Sequence, residues 1–219
     1  MLKTIKLYLK YNHKVETVAV EYSDGVWAPE NGINASMYVE INQTKQWINI
    51  YGEDLNNPVL LYLHGGPGSA TSDVDYAFTR KWADVYTVVT WDQRNAGKSY
   101  DKDQNDSTLT RALLLSDGKE LTEFLLKYLA KDKIAILGHS WGSIYGANLV
   151  LEYPEYYSCF IGAGQLVDCT ENEKAFKFQA LIWAKENDKI TQKSCLKIWS
   201  LQKKAVPLQP ISQRTRVSG

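Results

Sequence analysis

The chain has 219 residues, 44% of them hydrophobic and 23% charged, which excludes a disordered or collagen-like polypeptide and allows one domain, or one domain and a fragment. Twenty-five Lys and Arg balance twenty-five Asp and Glu, so the overall charge points to neither nucleic acid nor an acidic membrane surface. No run approaches the ~18 apolar residues of a membrane helix. The start, MLKTIKLYLKYNHKVE, is interrupted by charge too often for a secretory leader. Cys159, Cys169 and Cys195 show neither C-x-x-C nor metal-ligand spacing and suit a reducing compartment. The expectation is a soluble cytoplasmic protein with no metal, no organic cofactor, and neither a nucleic-acid nor a membrane partner.

Residues 1–36 read as an N-terminal arm or weak strand pair, with Ile5, Leu7 and Leu9, then Val18 and Val20, in partial alternation before the loop-like SDGVWAPENG. From Met37 the pattern sharpens. MYVEIN and QWINIYG are two β-rich runs separated by polar residues around Gln43, Thr44 and Lys45, which predicts a hairpin. PVLLYLHGG, YTVVTWD, IAILGHS and CFIGAGQ are nearly continuous apolar runs, as strands buried on both faces of a parallel sheet should be. Helical patterns lie between them. Residues 75–84 place Phe78 and Trp82 on one face. Residues 108–129 carry a stripe of Leu114, Leu121, Phe124, Leu125, Tyr128 and Leu129, and residues 143–153 stop before Pro154. This alternation argues for an α/β fold with a doubly wound, mostly parallel sheet over residues 37–168.

Two further helical stretches, 171–187 (Phe176, Ala180, Trp183, Ala184) and 194–201, follow without a strand between them. They read as an insertion over the sheet edge, spanning residues 169–202. From Lys189 onward there are seven basic residues and no acidic one, which leaves residues 1–188 with eighteen basic against twenty-five acidic. Residues 203–219, with two prolines and no periodicity, read as a disordered tail.

Three segments carry chemistry. Gly138-His139-Ser140-Trp141-Gly142 fits G-x-S-x-G at a strand-to-helix junction, the context of a nucleophile elbow. A tight turn there strains the serine backbone, so small residues must flank it, and the helix N-terminus brings amides and positive dipole beside the hydroxyl. Ser140 is the candidate nucleophile. His64-Gly65-Gly66-Pro67-Gly68 follows a buried strand, and its exposed amides can hold a developing oxyanion together with the N–H of Trp141. The third segment is Asp92-Gln93-Arg94-Asn95-Ala96-Gly97-Lys98-Ser99. Its Gly-Lys-Ser end suggests a phosphate loop, but that motif needs glycine where Asp92 stands, so nucleotide binding is rejected.

In this order, HGGPG, DQRNAGKS and GHSWGS resemble the proline iminopeptidases, the S33 branch of the α/β-hydrolases, over about residues 37–185. The resemblance implies an α/β-hydrolase fold with a helical cap, a serine nucleophile at Ser140, and oxyanion donors at Gly66 and Trp141. It implies that Asp92 and Arg94 are structural members of a loop near the site, with His64, Gly65, Gly68, Gly138, His139 and Gly142 as motif positions around it. It also implies a small peptide substrate, cleaved after an N-terminal residue such as proline through an acyl-enzyme. Asn95 replaces the family's usual glycine, a mild change because Asn tolerates a left-handed backbone.

The rest of a catalytic triad is missing. A serine needs a base, and the base needs an orienting acid. In this fold both follow the serine in the chain. The histidines are His13, His64 and His139, and none follows Ser140. His139 adjoins the serine and should turn away from its hydroxyl, His64 reads as a buttress of the glycine turn, and His13 reads as a surface residue. Asp168 and Asp188 do not follow strands. The expectation is a fold incomplete at its C-terminus, with neither catalytic acid nor histidine in the chain and poor activity alone. Two other readings stay open: an esterase or amidase of the same fold, and a non-catalytic binding shell.

Overall fold

The computed structural model describes residues 3–11, 14–22, 29–103 and 109–187. The expected helix at 194–201, the tail at 203–219, His13, Asp188 and Cys195 lie outside the described residues. The chain divides into two compact units, Met1–Gln165 and Leu166–Gly219.

Strands β1 (Lys3–Tyr11) and β2 (Lys14–Tyr22) pair antiparallel as a separate two-stranded sheet. The hairpin follows as β3 (Ile33–Ile41) and β4 (Thr44–Gly52). Its strands begin earlier than the polar spacing suggests. The turn is Asn42-Gln43, with φ of 43° and 62°, a two-residue loop whose twist matches that of the flanking strands. Thr44 and Lys45, expected in the loop, are strand residues. The Thr44 hydroxyl instead closes the turn by donating to the Ile41 carbonyl over 2.8 Å.

The four apolar runs are β5 (Val59–Leu63), β6 (Thr87–Trp91), β7 (Ile134–His139) and β8 (Tyr157–Ala163). Every residue of β5 and β6 is buried, as their unbroken hydrophobicity requires. β8, also expected to be buried, is the last strand of the described sheet, and only its Tyr157 is buried while Ser158, Cys159, Ile161 and Gly162 are exposed. Among the described residues the main sheet runs β3-β4-β6-β5-β7-β8. β5 pairs in parallel with both β6 and β7, and β7 in parallel with β8, while β4 joins β6 antiparallel. The chain therefore steps from β5 outward to β6 and then crosses back to the other side of β5, reversing its winding there.

Helices cover both faces. On one face, α1 (Tyr76–Thr79) is a single turn continued by a tighter 3-10 turn over Arg80–Asp84, so the helix expected at 75–84 is regular only in part. Phe78 and Trp82 do meet, 6.3 Å apart, and both lie edge-on to Tyr62 of β5. On the other face are α2 (Arg111–Tyr128) and α3 (Trp141–Glu152). The Thr110 hydroxyl accepts the Leu113 N–H at 3.1 Å and sets the start of α2. Leu115, Leu121, Leu125 and Leu129 bury against Val59, Leu61, Leu63, Ile134 and Ile136 of the sheet and Leu149 of α3. A Cβ on Gly118 would stand 2.7 Å from the Leu149 side chain, so the two helices approach closely there. The first helix of the second unit, α4 (Cys169–Asn187), begins two residues before the expected 171, with the Asp168 carboxylate accepting the Glu171 N–H at 2.9 Å. Among the described residues no helix is long and apolar enough to cross a membrane.

Candidate active site

The three motif segments emerge at the carboxyl ends of β5, β6 and β7. Their meeting point is where the winding of the sheet reverses, the crevice in which open α/β sheets bind ligands.

Ser140 links β7 to α3 with φ 52° and ψ −115°. A residue with a Cβ pays about 1–3 kcal/mol for such a backbone, and the surroundings hold it there. Its N–H donates to the Ala163 carbonyl at the end of β8 over 2.9 Å. Its carbonyl accepts both the Ser143 N–H at 2.9 Å and the Ser143 hydroxyl at 2.6 Å. The flanking glycines are sterically required. A Cβ on Gly142 would lie 2.7 Å from the Leu63 carbonyl carbon, and one on Gly138 would lie 2.5 Å from the Gly142 carbonyl carbon. The serine hydroxyl makes no capping bond to α3. Because α3 starts at Trp141, rather than at the expected 143, the Trp141 and Gly142 amides are among the N-terminal donors that have no acceptor within the helix.

The glycine turn lies against this elbow. A Cβ on Gly65 would be 3.3 Å from both the Ser140 Cβ and the His139 Nδ1. Gly66 has φ +118° and Gly68 φ +86°, backbone that only glycine adopts without strain. His64 is 1% exposed. Its Nε2 accepts the Gln93 N–H at 3.2 Å, which assigns the ring proton to Nδ1, and Nδ1 donates to the Gly65 carbonyl at 2.8 Å. Burial lowers its pKa below the ordinary histidine value, so the ring is neutral. Both ring nitrogens are engaged in holding the turn, and neither is available to Ser140. His139 is exposed.

In the third segment the Asp92 carboxylate accepts the Ser72 hydroxyl at 2.7 Å and the Lys98 N–H at 2.8 Å, while the Asp92 carbonyl accepts the Ser99 hydroxyl at 2.5 Å. The loop thus folds around its own carboxylate, in the place a phosphate loop would keep for its ligand. Asn95 has φ 59°, the left-handed backbone its residue type tolerates. Arg94 is turned to a different task. Its Nε and Nη2 meet Asp117 of α2 at 2.5 and 2.7 Å, and Nη2 also reaches the Ile41 and Asn42 carbonyls at 3.4 and 3.3 Å. It ties the loop to the β3–β4 turn and α2.

Two residues of the site's framework were not singled out by sequence reasoning. Asp117 sits within an otherwise apolar helical stripe, the one local sign that it has a buried partner. Gln93 lies between Asp92 and Arg94, and its side chain bridges the other two segments. Its Nε2 donates to the His64 carbonyl at 3.4 Å and its Oε1 accepts the Trp141 indole N–H at 3.2 Å. Among the described residues no group of three or more His, Cys, Asp or Glu side chains is placed to hold a metal ion.

With this geometry in hand, comparison with known proteins is decisive for the family. The model of the α/β-hydrolase fold family matches residues 58–217. The chain belongs to the α/β-hydrolase fold family. It is 35% identical over 135 residues to the probable aminopeptidase YbaC of Bacillus subtilis, covering 62% of this chain and 42% of that protein. It is 32% identical over 104 residues to the proline iminopeptidase of Lactobacillus helveticus, covering 48% of this chain and 34% of that one. The chain thus spans less than half the length of these curated relatives. Among solved structures, the proline iminopeptidase of Mycobacterium smegmatis superposes with a TM-score of 0.56 at 22% identity, over 74% of this chain and 58% of that one. At that identity the likeness is one of fold.

Proposed function

We propose that this hydrolase-family chain carries the nucleophile and oxyanion site of a serine aminopeptidase that releases N-terminal residues, proline among them, from small peptides. The observation that carries the reading is Ser140 at φ 52° and ψ −115°, at the strand-to-helix turn, with the glycine turn against its Cβ. The aminopeptidase and proline iminopeptidase names of its relatives supply the substrate class.

In the proposed reaction the Ser140 Oγ attacks the carbonyl carbon of the scissile amide while a base takes the hydroxyl proton. The carbonyl oxygen becomes an oxyanion held by the Trp141 and Gly66 amides. Collapse breaks the C–N bond, and the leaving amine takes the proton from the base. Water then cleaves the acyl–Ser140 ester by the reverse proton path. Within these 219 residues no histidine follows Ser140, and His64 is committed to the turn. That fact favours a second reading, a binding shell without turnover. The first reading expects the chain alone to acylate only with activated esters, whose leaving groups need no proton, because an oxyanion hole without a base keeps only about 10³–10⁴-fold of the rate enhancement.

The test uses proline p-nitrophenyl ester and p-nitrophenyl acetate, which share a leaving group, with Ser140→Ala as control. Each rate is normalised to the uncatalysed reaction. Faster Ser140-dependent release from the prolyl ester supports the aminopeptidase. Faster release from the acetate moves the assignment to an esterase, and release independent of Ser140 from both establishes the binding shell.

A further inference from the structure

Outside the residues that would touch substrate, one buried side chain joins both sides of the candidate oxyanion hole. The Gly66 amide belongs to the turn after β5 and the Trp141 amide to the start of α3, so the two donors sit on separate elements, which β5–β7 pairing and the close approach of Gly142 to the Leu63 and His64 carbonyls bring side by side. Gln93, at the end of β6, is 4% exposed and reaches both. Its backbone N–H donates to His64 Nε2, its Nε2 donates to the His64 carbonyl, and its Oε1 accepts the Trp141 indole N–H. His64 passes the constraint onward through Nδ1 to the Gly65 carbonyl, which also accepts the Ser69 N–H at 3.2 Å across the turn.

We infer that Gln93 is a positioning residue that sets the distance between the Gly66 and Trp141 amides, its side chain acting through the Trp141 indole on one side and the His64 carbonyl on the other. The inference rests on the proposed function for its kinetic consequence, though not for its geometry. The amide side chain suits the task because it offers a donor and an acceptor at once in a fixed plane. The indole is a donor only, so it needs the carbonyl end of Gln93; the His64 carbonyl is an acceptor only and needs the NH₂ end. The amide therefore has one orientation that satisfies both neighbours. Glu would lose the donor and Met both groups.

Oxyanion stabilisation depends steeply on donor placement, and a misplacement near 1 Å can cost about a hundredfold in rate. Gln93→Met keeps length and burial while removing both bonds. The p-nitrophenolate burst from p-nitrophenyl acetate is the readout, measured on the whole chain. The expected result is a maximal acylation rate about ten- to a hundredfold lower, with the half-saturating ester concentration unchanged. Trp141→Phe retains the backbone amide and removes the indole N–H, so it should reproduce part of the loss. Gln93→Met added to Trp141→Phe should then cost less than it does alone. A merely structural role would give additive losses, or a change in half-saturation, and would overturn the inference.

A second readout needs no turnover. In ¹H–¹⁵N spectra, Gln93→Met should shift the backbone amides of Gly66 and Trp141 together, although Gln93 bonds to neither. Unmoved amides overturn the inference. Equal bursts from the wild-type chain and Ser140→Ala would sink the proposed function, and the spectra would then decide the clamp by themselves. A Ser140-dependent burst left intact by Gln93→Met sinks the clamp alone.

Discussion

Replacing Arg94 by Met is the perturbation that best separates scaffold from site in this fold. Arg94 and Asp117 are 7% and 0% exposed in their side chains, and they meet through two guanidinium nitrogens at 2.5 and 2.7 Å. The Asp117 carboxylate also accepts Asn42 Nδ2 at 2.7 Å and Gln46 Nε2 at 3.2 Å. Arg94→Met leaves that carboxylate buried with two neutral donors and no counter-charge. Breaking a buried pair from one side costs about 3–5 kcal/mol. At about 2–4 °C per kcal/mol for a chain of this size, the melting temperature should fall by about 6–20 °C. Asp117→Leu should cost as much, because it strands the guanidinium and two amide donors together. The double variant should be more stable than the sum of the two losses implies, since no uncompensated charge remains. Thermal melts and urea titrations of the four proteins measure this. Below the melting range, the Ser140-dependent ester burst of Arg94→Met should match that of the wild-type chain. A loss under about 1 kcal/mol, or a burst lost without a loss of stability, would refute the assignment of Arg94 to the framework.

Two further predictions concern pH and sterics. Asp75 is buried, with neither carboxyl oxygen in a well-formed hydrogen bond, and burial pushes its pKa up, offset in part by Thr90 and the Tyr76 amide. The folded state therefore holds its proton more tightly than the unfolded state does. The stability tied to that proton is complete below the unfolded value of 3.8 and is lost as pH rises through the raised folded value. Asp75→Asn should accordingly raise the melting temperature at about pH 8 and change it little at about pH 4, and the opposite pattern in melts across that range would contradict the sign. His64 works the other way: its folded pKa lies below the ordinary 6.5, so the stability it confers is complete above 6.5 and fades as pH falls toward the folded value. Gly142→Ala would drive a Cβ to within 2.7 Å of the Leu63 carbonyl carbon and 2.8 Å of the His64 carbonyl oxygen. Overpacking of this kind costs about 1–3 kcal/mol or more. It should reduce folded yield and abolish the ester burst together, and a normal melt with a normal burst would mean the elbow is looser than described.

The parts of this fold that were legible in the sequence are those governed by local physics. The apolar runs of β5 and β6 mark buried strands because no residue in them faces water, whereas β8 carries the same kind of run and leaves most of it exposed. Glycines mark the elbow because Gly138 and Gly142 stand against backbone. The motif order then placed the three loops at one edge of the sheet. What stayed hidden depends on partners far along the chain. Gln93 reads as an ordinary polar residue until His64 and Trp141 fold onto it, and Arg94 reads as a structural member of its loop with no sign of its partner until Asp117 is seen beneath it. The hairpin turn was displaced because Thr44 looks like a loop residue, yet its hydroxyl closes the turn from within β4. Likewise α3 begins at Trp141 because Ser140 itself stands at the cap, a consequence of backbone strain that periodicity does not register.

The central claim is that Ser140 is a nucleophile facing an assembled oxyanion hole. Its most direct test is peptide mass spectrometry of the whole chain after incubation with p-nitrophenyl acetate. The account predicts one acetyl group on the peptide containing Ser140. It should persist over the time course, because no histidine follows Ser140 in these 219 residues and His64 is committed to the glycine turn, and it should be absent from Ser140→Ala. Acetylation confined to lysines, with Ser140 unmodified in folded protein, would contradict the account.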